Sequence, residues 1–133
     1  MGFTLSLSAC GHFVLCRVSE DVTLGLIRQA TLDATAFGDA HGTQGFLFDA
    51  RGTRNVESIF RNYQFAHEEL PTLGVNRAAS FAVLIDPDDR SQDFLETTVR
   101  NAGFDMRLFT DPDKAAQWLV LRQPGATRMG NGV

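Results

Sequence analysis

Residues 45–63 run GFLFDARGTRNVESIFRNY. Gly45–Asp49 is a short, nearly continuous apolar run, as expected of a strand covered on both faces. Ala50–Asn55 is polar and contains Gly52, a turn composition. Val56, Ile59, Phe60 and Tyr63 then recur at helical spacing and predict a helix over Val56–Leu70 with those four residues as its apolar side. In an α/β sheet such a turn lies at the carboxyl end of its strand, where ligands bind. A helix start there adds unpaired N–H groups and a partial positive charge.

On the C-terminal side, Pro71 stops the helix, because the residue before a proline avoids the helical region. Ala79–Ile85 (ASFAVLI) is a second apolar strand. Asp86-Pro87 reads as N-cap and first helical position of a third helix, with Phe94, Leu95, Val99 and Ala102 inward and Gly103 as its end. Phe104–Phe109 alternates as a fifth strand, and Thr110 with Asp113 reads as the capping pair of a last helix carrying Ala115, Ala116, Trp118 and Leu119. On the N-terminal side, Phe3, Leu5, Leu7 and Ala9 alternate with polar residues, and Phe13–Val18 follows after a Cys10-Gly11-His12 turn, predicting an antiparallel hairpin. Ser19 reads as the cap of a helix bearing Val22, Leu26, Ile27, Ala30 and Ala34 on one face, with Gly38 as its stop.

The predicted order is β-β-α-β-α-β-α-β-α: an α/β fold with a mixed, mostly parallel sheet and an antiparallel edge strand. The expected organisation is one domain over residues 1–122 and a disordered Gly-rich polar tail over 123–133.

The chain has 133 residues, 44% hydrophobic and 21% charged, the balance of a soluble globular protein. A net charge of −4 argues against a nucleic-acid partner, which calls for a basic surface. No apolar run is long enough for a transmembrane segment. With no recognisable leader and only Cys10 and Cys16, the expected setting is the cytoplasm, with both thiols reduced.

Two segments resemble the SpoIIAA-like proteins, a branch of the STAS fold. Gly103–Leu119 (GFDMRLFTDPDKAAQWL) is similar to that family's closing strand and helix, and Ser80–Ile85 to its penultimate strand. The resemblance spans roughly residues 3–120. It implies a single-domain STAS-type fold and a non-catalytic role. That role would be regulation through a protein partner, or binding of a nonpolar small molecule, a lipid or a membrane surface by peripheral contact. Anti-sigma-factor antagonists of this fold carry Asp-Ser-Ser-Gly at a helix start, the serine being phosphorylated by a partner kinase. Here Glu57 and Ser58 stand at the first two of those positions, with Ile59 and Phe60 at the others. Ser58 is thus the candidate phosphorylation position.

The residues themselves suggest a binding surface made of Asp49, Arg51, Thr53 and Arg54 in the turn and Phe60, Tyr63 and Phe65 on the helix. Phe60, Tyr63 and Phe65 cannot all face one core, since positions 63 and 65 lie about 200° apart. With Leu70 and Leu73 they suggest a movable lid or an apolar patch for a partner. The alternative reading is an anion-binding loop or a small enzyme built on the Arg-rich turn Asp49–Asn55. Asp49-Ala-Arg51-Gly-Thr53 brushes against the Asp-x-Asp-Gly-Thr opening of haloacid dehalogenases, but Arg51 replaces the second aspartate and would repel magnesium. Asp86, Asp88 and Asp89 follow a strand as in receiver domains and could hold magnesium, yet the acidic pair after the first strand and the lysine after the fifth that a receiver needs are missing, so they read as helix caps. His12, His41 and His67 share no ligand spacing, and the expectation is no metal and no cofactor.

Overall fold

The structure is a computed structural model that describes residues 2–122; the tail expected over 123–133 lies outside the described residues. The strands are β1 (Phe3–Leu7), β2 (Val14–Val18), β3 (Gly45–Asp49), β4 (Ser80–Leu84) and β5 (Asp105–Phe109), and they lie side by side in chain order. β1 is antiparallel to β2, and every later pair is parallel, with Phe48 opposite Val83. This is the mixed α/β sheet with an antiparallel edge read from the sequence.

The helices are α1 (Leu24–His41), α2 (Ile59–Gln64), α3 (Asp93–Asn101) and α4 (Pro112–Arg122). After α2 the chain continues through a π turn, Phe65–Glu69, and a 3-10 turn, Leu70–Thr72. The segments linking the parallel strands share one face of the sheet, where Phe46, Phe81, Val83 and Met106 meet Ala34, Phe65, Leu95 and Val99. Crossovers of one hand between successive neighbours give that arrangement. α4 covers the other face, packing Ala115 and Leu119 on Leu47, Ala82 and Leu84. The Phe46 and Phe81 rings stack with centroids 5.3 Å apart, worth about 1 kcal/mol beyond their buried area.

All four helices differ from the sequence reading at a boundary. α1 is capped by Thr23, whose hydroxyl accepts from Leu26 N–H, and not by Ser19. It runs through Gly38 to Gly42. Gly38 serves a close approach: a Cβ there would lie 2.8 Å from the Thr43 carbonyl and 2.9 Å from the Phe46 ring. α3 begins at Asp93, because Asp86 and Asp89 are engaged in tying loops together and do not cap it. α4 takes Asp111 as its cap in place of Thr110: the Asp111 carboxylate accepts from Asp113 N–H at 2.9 Å.

The fourth difference lies in residues 45–63. The helix begins at Ile59, three residues later than expected, with Ser58 as N-cap accepting from Arg61 N–H. The cause is a short parallel bridge. Val22 N–H donates to the Arg54 carbonyl at 2.7 Å, and Val56 N–H donates to the Val22 carbonyl at 3.0 Å. Held extended there, residues 54–56 cannot join a helix, and the helix that follows is turned relative to the predicted one. Val56, Ile59, Phe60 and Tyr63, read as its apolar side, are exposed, Phe60 by 67%. Asn62, Phe65, Ala66 and Leu70 point inward instead. The π turn helps: Leu70 N–H bonds the Phe65 carbonyl, so two residues five apart share the buried side.

Candidate ligand-binding site

The turn after β3 is built around Asp49. Its carboxylate is almost wholly buried and accepts from Arg17 at 2.7 Å and from the Arg51 side chain at 2.9 and 3.0 Å. Arg51 N–H adds a fourth contact at 3.2 Å. Burial by itself would push the Asp49 pKa up. The hydrogen bonds from Arg51 and the charges of Arg51 and Arg17 outweigh that and hold it below the ordinary carboxylate value. The hydrogen bond that Arg51 donates to Asp49, with the charge of that carboxylate, raises the Arg51 pKa in return.

The remaining donors of the turn also meet protein acceptors. Gly52, at φ 80°, donates its N–H to the Asp86 carboxylate at 2.7 Å. The Thr53 hydroxyl is buried and donates to the Ala50 carbonyl. Arg54 pairs with Asp89 at 3.2 Å and Asp88 at 3.6 Å, and its N–H donates to Asp21. The four turn residues named from the sequence do come together, but as a charge-compensated knot joining three loops. An incoming anion would have to displace carboxylates already in place.

Beneath the knot runs a buried chain of amides. Glu57 N–H donates to Asn55 Oδ1 at 3.0 Å, which fixes which end of the Asn55 amide carries the donors. Asn55 Nδ2 then donates to Asn62 Oδ1 at 2.9 Å and to Gln92 Oε1 at 3.2 Å. Asn62 Nδ2 closes the chain onto the Ser58 and Glu57 carbonyls. Asn62 is 3% exposed. This network, absent from the sequence reading, anchors α2 by a polar residue and leaves its apolar side outward.

Gln92 also borders a partly open cavity of about 100 Å³ between the sheet and the helices. Phe48, Phe81, Val83 and Met106 form its floor; Ala30 and Thr31 of α1, Leu95 and Val99 of α3, and Phe65 and Leu70 line its sides. Above it, the exposed ion pair of Arg28 on α1 with Glu69 on the π turn joins two of its walls. Such a pair contributes about 0–1 kcal/mol. Phe65, expected in a movable lid or a partner-facing patch, lines the cavity. Phe60 and Tyr63 lie outside on α2, with the Tyr63 ring in tilted contact with His67, centroids 4.3 Å apart. Ser58 is exposed, and its hydroxyl is engaged as the cap.

Arg17, Asn62 and Gln92 were not picked out from the sequence. Arg17 is the one polar residue in an otherwise apolar strand, and Asn62 interrupts an apolar helix face; both are local signals that something polar lies opposite. Among the described residues no helix is long and apolar enough to cross a membrane. No family model matches this chain, and no curated protein matches it.

Proposed function

We propose that the chain is a binding domain that holds a small nonpolar molecule in the cavity beneath α2 and the π turn, without chemical turnover. The observation that carries this reading is the cavity: two of its sixteen lining residues are polar, Thr31 and Gln92. Ligand pockets are mostly apolar with a few placed polar groups. At about 100 Å³ the space is of the order of the roughly 150 Å³ apolar cavities that take up benzene. The SpoIIAA-like resemblance, which implies binding and not catalysis, agrees with it, and the setting we propose is the cytoplasm. The Arg-rich turn supports the enzyme or anion-binding reading less well, since Asp49 is clamped and the Gly52 N–H is occupied.

The exposed strip Val56, Ile59, Phe60 and Tyr63 favours a second reading, contact with a protein partner. The two are compatible, since α2 carries the strip outside and leads directly into the cavity wall.

The test is an NMR titration of ¹⁵N-labelled protein with cyclohexane. Amide shifts concentrated at Ala30, Val83 and Leu95 are expected. Shifts confined to Ile59, Phe60 and Tyr63, or none, would overturn the cavity reading.

A further inference from the structure

β1 stands at one edge of the sheet and pairs only with β2. Its hydrogen-bond phase follows from the bonds at its two ends. Ser19 N–H donates to the Gly2 carbonyl at 2.8 Å, and Ser8 N–H donates to the Phe13 carbonyl at 2.9 Å. Along an antiparallel strand, residues bonded to the partner alternate with residues turned away from it. The backbone groups of Thr4 and Ser6 therefore face β2, and those of Phe3, Leu5 and Leu7 point outward. These outward N–H and C=O groups have no hydrogen-bond partner among the described residues. Such an edge is a template for another strand, and proteins blunt it with charge, proline or a bulge. β5, at the opposite edge, carries Asp105 and Arg107, and Asp105 is paired with Arg122 at 2.8 Å. β1, FTLSL, has no charge, no proline and an unbroken register with β2.

We propose that β1 is an interaction edge whose partner is β1 of a second copy of this chain, added antiparallel about a two-fold axis at Leu5. The strand is complementary to itself in that register. Phe3 lies opposite Leu7 of the second copy and Leu5 opposite Leu5, on the side where Phe3 and Leu5 pack with Leu26, Ile27 and Ala30 of α1. Thr4 lies opposite Ser6 of the second copy on the other side, where hydroxyl pairs are favourable and no like charges meet. The outward residues pair with outward residues, so their N–H and C=O groups are all satisfied. A slip by one residue would turn the apolar side chains of the second copy to the polar side. The joined sheet ends on a charged β5 at both edges, so growth stops at two copies. An edge of about 17 Å falls short of the roughly 800 Å² per partner that stable interfaces bury, so the dimer is weak and concentration-dependent. The pairing is independent of the cavity and its occupant.

Sedimentation equilibrium of the full chain from about 10 μM to about 1 mM tests it, a range that covers weak association. A monomer–dimer equilibrium is expected. Thr4→Glu/Ser6→Glu sets like charges opposite each other twice across the axis and should weaken the dimer about three- to thirty-fold. Thr4→Glu/Ser6→Lys sets opposite charges at the same places and should bind at least as well as wild type. Thr4 and Ser6 are exposed, so neither change disturbs the core. Phe60→Glu, on the exposed strip of α2, should leave the equilibrium unchanged. Monomer alone throughout the range overturns the proposal. So does a dimer that Phe60→Glu abolishes, or one on which the two edge variants have the same effect. If an edge variant does not fold, amide exchange in the wild type decides. The Phe3, Leu5 and Leu7 amides should exchange more slowly at about 1 mM than at about 10 μM, and equal rates overturn the pairing.

Discussion

Asp49 is buried, whereas the arginines that hold it are about half exposed, with side-chain exposures of 58% for Arg17 and 40% for Arg51. Removing its charge should cost about 1–2 kcal/mol, the lower part of the range for charged hydrogen bonds, because both guanidinium groups can return to water. The pH dependence has a definite sign. The folded-state pKa lies below the unfolded one, so Asp49 stabilises the fold above about pH 4 and its contribution is lost as pH falls through the lowered folded value. Urea unfolding of wild type and Asp49→Asn should therefore differ at pH 7 and converge towards pH 3; a gap that widens in acid would contradict the clamp. The two thiols make a second case. Cys16 is buried and its pKa is pushed up to about 12, by burial first and by Asp33 second, whereas Cys10 is exposed. Since the thiolate is the reactive form, iodoacetamide at pH 8 should add once to the native protein, at Cys10, and twice after unfolding, as mass spectrometry would read directly. That Asp49 and its turn form a cluster was legible in the sequence. That the cluster is self-neutralised was not, because its partners Arg17, Asp86 and Asp89 lie at least 30 positions away along the chain and only the fold brings them in.

At the scale of the element, α2 shows how a correct helix can present the wrong face. Its sequence has an apolar stripe, and the usual inference is that the stripe is buried. Two things outside the helix reverse it. The bridge of residues 54–56 to Val22 delays its start, and the Asn55–Asn62–Gln92 amides reward burial of Asn62. Neither is a property of local periodicity. The consequence is measurable. Phe60→Ala should change stability by no more than about 0.5 kcal/mol, as for an exposed site. Phe65→Ala, only five positions along, should cost about 3–5 kcal/mol, because its ring is 2% exposed and lies in the core. A core reading of the stripe requires Phe60→Ala to be the costly change, so chemical denaturation of the pair separates the two arrangements. The cap follows the same logic: Ser58→Ala should lose about 1 kcal/mol while Ser58→Asp is tolerated, since aspartate caps equally well.

The whole molecule was the most legible level. Continuous apolar runs at Gly45–Asp49 and Ser80–Leu84, separated by helical stretches, require a parallel sheet buried on both sides, and the observed strand order and register meet that requirement. What such patterns do not encode is how completely the helical layer fills. α1 and α3 are regular, but between them stands a short helix that gives way to a π turn and a 3-10 turn, and the cavity lies under that irregular piece. A sequence specifies which residues are apolar; whether their volumes add up to the space enclosed depends on backbone geometry to within a methyl group. The sign of a single substitution tests this. In a filled core, enlarging a side chain costs about 1–3 kcal/mol through strain. Val83 borders the cavity from the middle of the sheet, and isoleucine keeps its β-branched fit to a strand. Val83→Ile should place its extra carbon in open space and gain up to about 0.8 kcal/mol, the worth of one buried methylene. The same carbon should weaken cyclohexane binding, because protein and probe then compete for one volume. A variant that is both more stable and a poorer binder follows only if the space is real and is where the ligand sits; loss of stability on this substitution would mean that the layer is already full.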